Sequence, residues 1–142
     1  MLARIFGTAD PWSLVPIRVA LGVIFIAHGA DKLFVSGLPG FARMVGTLGF
    51  HPAMAWAVMV SLVEFLGGLA ILAGFMTRWA ALLIAIEMTI IMLRLKLSRG
   101  LTAAGGFEFE LLIWAACLTL FLTGAKTPSV DQALPGELRR AA

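Results

Sequence analysis

Seven ionisable residues, Arg18, His28, Glu64, Glu87, Arg94, Glu108 and Glu110, lie within or at the edges of long apolar runs. A charge in hydrocarbon is costly, so such residues are expected to face other protein and to pair with one another. Two kinds of chemistry suit the set. Arginine beside carboxylates can hold the polar head of a small molecule, such as a quinone carbonyl or an oxyanion. The same grouping can instead be a structural ion-pair core that fixes helix register. His28 could pass a proton or ligate haem. Haem between helices takes a second axial ligand, however, and His51 lies nearer the surface, so a hydrogen-bonded interfacial histidine is the simpler expectation. Trp114 shares a helical stripe with Glu110, Cys117 and Phe121, where it packs over a ligand or fills the core. The single cysteine excludes an intrachain disulfide and a paired-cysteine redox centre. Cys117 reads as a small buried hydrophobe. No metal-ligand spacing such as His-Glu-x-x-His occurs, so no metal is expected.

Positioning these groups falls to four apolar runs. The chain is 61% hydrophobic and 13% charged, where soluble domains have roughly 45–50% and about 25%. The excess is concentrated in runs close to the ~20 residues that cross a bilayer. Composition therefore implies a polytopic membrane protein, with residues 1–142 forming a single transmembrane domain. The expected spans are about 12–34, 53–76, 79–95 and 107–123, giving an all-α bundle of four transmembrane helices. Arg18 inside the first run, and the three runs after it, argue against reading that run as a signal peptide. Between the first two runs Leu38, Phe41, Met44, Val45 and Leu48 recur at helical spacing. That segment, about 38–50, is too short to span and is expected to lie at the interface as an amphipathic helix. The polar tail, 126–142, reads as a poorly ordered end.

If each run starts at the membrane edge and rises ~1.5 Å per residue, Arg18 lies about 9 Å, Glu87 about 13 Å and Glu64 about 16 Å from the side of the termini. Glu110 then lies about 20 Å deep, Glu108 about 22 Å, and His28 and Arg94 about 24 Å. Two layers follow: Arg18 pairs with Glu64 or Glu87, and Arg94 with Glu108 or Glu110, with His28 close by. Four acids against two bases leave at least one acid without a full partner. Glu110 is the first candidate and Glu87 the next, and the unpaired acid should border a pocket. Small residues supply the helix contacts. Gly67 and Gly68 lie one turn from Glu64, and Gly22 and Gly29 lie on the Arg18 stripe, where a neighbouring helix can approach closely.

The net charge is +3, with no basic block, which excludes a nucleic-acid partner. Arg4, Arg78, Lys126, Arg139 and Arg140 fall on the side of the termini. Lys32, Arg43, Arg94, Lys96 and Arg99 fall on the other, so charge asymmetry does not orient the chain.

Three stretches, Arg18 to Lys32, Glu64 to Arg78 and Gly105 to Leu112, carry the patterns R-x3-G-x5-H-G-x2-K, E-x2-G-G-x5-G-x2-T-R and G-G-F-E-F-E-L-L. Together they resemble the DoxX family of small bacterial and archaeal membrane proteins, over about residues 12–125. The resemblance implies a multi-pass four-helix bundle in the inner membrane with cytoplasmic termini. It also implies a membrane subunit of an oxidoreductase system, as in a thiosulfate:quinone oxidoreductase or an oxidative-stress complex. The chain has no flavin motif, so electrons would come from a partner redox subunit. A quinone or similar small apolar molecule would sit near Arg18, Glu64, Glu87 and Glu110. Two other functions suit the same residues: a non-catalytic scaffold or assembly factor whose glycine faces bind other membrane proteins, and a small-solute or proton carrier using the Glu/Arg chain. An oligomer is compatible with each.

Overall fold

A computed structural model describes residues 12–133. Pro16 stands in the first turn of α1 (Val15–Ala30), where its missing N–H leaves no helical bond unmade. The helix runs on through a wider π-type turn, Asp31–Val35. Gly37, at φ 81°, then lets the chain bend by 108° into α2 (Leu38–Thr47). α3 (Ala53–Ala73) ends at Gly74 in the left-handed conformation, φ 70°. α4 (Thr77–Ile91) continues through a wide turn, Met92–Lys96, and a tight one, Leu97–Arg99. α5 (Glu108–Thr123) and the short α6 (Val130–Ala133) follow. Among the described residues every regular element is helical.

The helices fall where the apolar runs predict them, including the short one after the first bend. They are not four uninterrupted spanning helices. α3 is by itself long and apolar enough to cross a bilayer, and α1 with α2 meets the same requirement as a bent pair. α1, α4 and α5 have 16, 15 and 16 residues, fewer than the ~20 a straight crossing takes. The wide turns carry α1 and α4 five residues further each.

One core joins the four long helices: Leu21 and Phe25 of α1, Ile71 of α3, Ala81 and Ile84 of α4, and Cys117 and Leu120 of α5. α3 is apolar around its whole circumference yet buries one face, Ala57, Ser61, Glu64, Gly67, Gly68 and Ile71. Met54, Met59, Leu62, Leu66 and Leu69 point outward, 41–56% exposed. Val23 of α1, Leu83 of α4 and Leu112 of α5 do the same. So extensive an apolar exterior suits hydrocarbon rather than water.

α1 and α3 meet backbone to backbone. A Cβ at Gly29 would lie 2.5 Å from the Phe65 nitrogen, and one at Gly68 would lie 2.7 Å from the Ile26 nitrogen. A Cβ at Gly22 would lie 3.0 Å from the Gly68 carbonyl oxygen. Gly67 departs from expectation. It faces α4, and its Cβ would meet only the flexible end of Ile84 at 3.2 Å. Residues 126–133 also depart. α6 docks on the bundle and Asp131 is buried, so this part of the tail is an attached segment; residues 134–142 of the expected tail lie outside the described residues.

Candidate functional site

Arg18 does not pair with Glu64 or Glu87. The residue is 4% exposed, and its guanidinium bonds four backbone carbonyls. Nε donates to Ile71 O at 3.1 Å, Nη2 to Leu72 O at 3.1 Å, and Nη1 to Ala125 O at 3.1 Å and Pro128 O at 2.7 Å. The last carbonyls of a helix have no partner within it and carry the negative end of the helix dipole, so they can satisfy a buried cation without a carboxylate. Asp131 completes this end. It accepts from the Met76 N–H at 2.7 Å and the Thr77 N–H at 3.3 Å, at the start of α4, and its own N–H donates to Gly74 O at 2.9 Å. A pocket of about 260 Å³ lies beside Arg18, Ser129 and Leu72.

Glu64 pairs instead with Lys32, whose Nζ reaches both carboxylate oxygens. The ammonium also lies over the Phe41 ring of α2, 4.6 Å from its centroid. Glu87, on α4, is 8% exposed, and neither of its oxygens meets an N–H or O–H donor. It neighbours Glu64, each acid standing one turn along its helix from the place where Gly67 meets Ile84. Two ionised carboxylates repel when buried close together, so a proton on one of them would relieve the pair.

Glu87 and Lys32 share a wall of a chamber of about 720 Å³ enclosed by α2, α3 and α4. Most of its lining is apolar, from Phe41, Val60, Val63 and Ile90 among others, and Trp56 closes one end. The rim residues Met59, Leu83 and Ile86 are 46–50% exposed, so the chamber opens sideways between α3 and α4. Its size falls in the ~300–1,000 Å³ typical of small-molecule sites, and a few polar groups on apolar walls is their usual make-up.

The expected second layer is also rearranged. Glu110 is paired, accepting from Lys96 Nζ at 2.5 Å, while its second oxygen has no partner. Of the two candidates for an unpaired acid, Glu87 is the one at the chamber. Glu108 is exposed in the first turn of α5, where a carboxylate suits the helix dipole. Arg94 is exposed, donating to Leu48 O at 3.1 Å and lying 5.6 Å from the Phe50 ring centroid. His28 points outward with Nδ1 2.9 Å from Ile24 O. Trp114 packs against the core and does not line the chamber. Among the described residues no cluster of metal-ligating side chains occurs.

The sequence reading missed Lys32, Lys96 and Asp131 as site or anchoring residues. For Lys32 a signal existed. It follows Arg18 by 14 residues, close to four turns of 3.6, and so lies on the stripe of Gly22, Phe25 and Gly29. For Asp131 none existed, because a cap supplied from a distant segment has no local pattern.

Residues 13–97 match the family described as DoxX. CatD of Bacillus subtilis (strain 168), an oxidoreductase by name, is 29% identical over 115 residues, covering 81% of each chain. Inner membrane protein YqjF of Escherichia coli (strain K12) is 32% identical over 119 residues, 82% of this chain and 88% of its own. Inner membrane protein YphA of the same strain is 33% identical over 78 residues, 55% and 54% of the two chains. No solved structure matches.

Proposed function

Because the chain belongs to the DoxX family, we propose that it is an inner-membrane protein that holds a small apolar molecule in the chamber beneath α2. The occupant in this reading is a quinone, with this chain acting as the membrane subunit of an oxidoreductase system. In this reading the four long helices all cross the bilayer, α1 and α4 through their wide turns, and the termini are cytoplasmic. The relatives named as inner membrane proteins, the relative named as an oxidoreductase and the apolar exterior support it. The observation that carries the ligand site is Glu87, buried and without a donor partner on the wall of an otherwise apolar chamber of about 720 Å³. A flat quinone ring would slide between α3 and α4 from the lipid side, its tail remaining among Leu83, Ile86 and Met59. Electrons would pass to and from the quinone on a partner subunit.

Trp56 makes the test direct, because quinones quench indole fluorescence and Trp56 lines the chamber. Titrating the detergent-purified protein with a short-chain ubiquinone analogue should give saturable quenching that Val60→Phe, which fills the chamber, weakens. Unsaturable quenching, identical in Val60→Phe, would remove the site. Stoichiometric co-purification of another membrane protein with an empty chamber would favour the scaffold function instead.

A further inference from the structure

The chamber's polar groups are not equally free. Lys32 has its ammonium bonded to both oxygens of Glu64 and its remaining side over the Phe41 ring. Glu64 lies behind the wall and is held by that ion pair. Asp31, also on the lining, accepts from the Ser36 hydroxyl at 2.5 Å and is exposed. Cys117 of α5 stands near Glu87, and the residues that α2 turns to the chamber, Gly40, Phe41, Met44 and Val45 among them, carry no titratable group. Glu87 is therefore the one lining group whose hydrogen-bonding capacity is buried and unused. Charge counting adds a constraint. Lys32 contributes one positive charge against two neighbouring carboxyls, so a single added proton makes the group neutral, the condition a low-dielectric surrounding favours.

We propose that Glu64 and Glu87 hold one proton between them and that Glu87 offers this proton, as a hydrogen bond, to whatever occupies the chamber. In the empty site the proton bridges the two carboxyls. An arriving acceptor takes the same hydrogen bond, and Glu64 stays neutralised by Lys32. The site thus selects neutral apolar molecules that end in a hydrogen-bond acceptor, of which a ring carbonyl is the simplest, and rejects cations and purely hydrocarbon occupants of equal size. This specificity rests on the chamber being the ligand site; the shared proton does not.

Infrared spectra of the purified protein test both parts. In water and in heavy water the wild type should show a protonated-carboxyl band that shifts on deuteration, disappears in Glu87→Gln and is displaced in Glu64→Gln. Adding a short-chain ubiquinone analogue should move the band, and an alkylbenzene of equal size should not. Affinity for the quinone should fall roughly tenfold in Glu87→Ala, the upper range of one hydrogen bond. In Glu87→Gln, whose amide can still donate, it should change by less than about threefold. If the variants do not fold, the wild-type band and its response to quinone decide the matter. Absence of a deuterium-sensitive band, or one that quinone leaves in place while Trp56 quenching saturates, overturns the proposal and leaves the ligand site intact. A band with these properties in a protein that binds no quinone overturns the ligand site and the recognition step while keeping the shared proton.

Discussion

α1 presents two cations to α3, and they are satisfied in opposite ways. Arg18 gives its N–H groups to carbonyls at the end of α3 and in the segment after α5, and bonds no carboxylate. Lys32 gives its ammonium to Glu64, with Glu87 alongside. Guanidinium, a planar fork with five donors, suits several separated acceptors, whereas ammonium is a compact point charge. The Arg18 end therefore ties three segments together, and what it leaves without a partner is the hydroxyls of Thr77 and Ser129, not a charged group. The Lys32 end keeps a surplus carboxyl beside a chamber. A buried charge in this protein marks a functional candidate only where the neighbouring groups fail to use it up.

If that contrast holds, Arg18→Met should be the most damaging of these changes. It takes a donor from four carbonyls, of which Ile71 O keeps the Gly74 N–H, and at about 1–3 kcal/mol for each buried group left unsatisfied the loss should reach about 5 kcal/mol or prevent folding. Thermal unfolding in detergent measures it, and Arg18→Lys should recover less than half. Lys32→Met should cost about 3 kcal/mol, the order expected when one partner of a buried pair is removed. Much of that loss should return in the double variant Lys32→Met with Glu64→Gln, which no longer strands a carboxylate. Equal losses in the single and double variants would show that Lys32 acts through packing on Phe41.

The glycines offer a sharper comparison within α3. Gly68→Ala should cost about 2 kcal/mol by overpacking against the Ile26 backbone, and Gly67→Ala less than about 1 kcal/mol, since only the tip of Ile84 must move. Equal melting temperatures would mean that α1 and α3 are not in backbone contact. The smallest expected effect on stability is that of Glu87→Gln, about 1 kcal/mol or less, because an amide can donate to the Glu64 carboxylate. The chamber should survive that change, as retained saturation of Trp56 quenching would show.

The sequence by itself determined the elements: apolar runs placed the helices, and the small-residue stripe of Gly22, Gly29 and Gly68 was legible as a close contact. It placed Arg18, Glu64, Glu87 and Glu110 inside, as the fold does, but also Arg94, Glu108 and His28, which the fold leaves exposed. Their pairing belonged to the tertiary structure. Counting depth from the start of each run puts Arg18 level with Glu87. In the fold, Arg18 is level with the end of α3, at Ile71 and Leu72, and the α1–α3 register brings Lys32 to Glu64. That register is set by where Gly29 and Gly68 let two backbones meet, a relation between helices that no periodicity within either one records. The bend at Gly37 that folds α2 over the chamber and the return of Asp131 to the start of α4 are likewise contacts between distant segments. Helices follow from local spacing, while a site assembled across helices depends on how they pack.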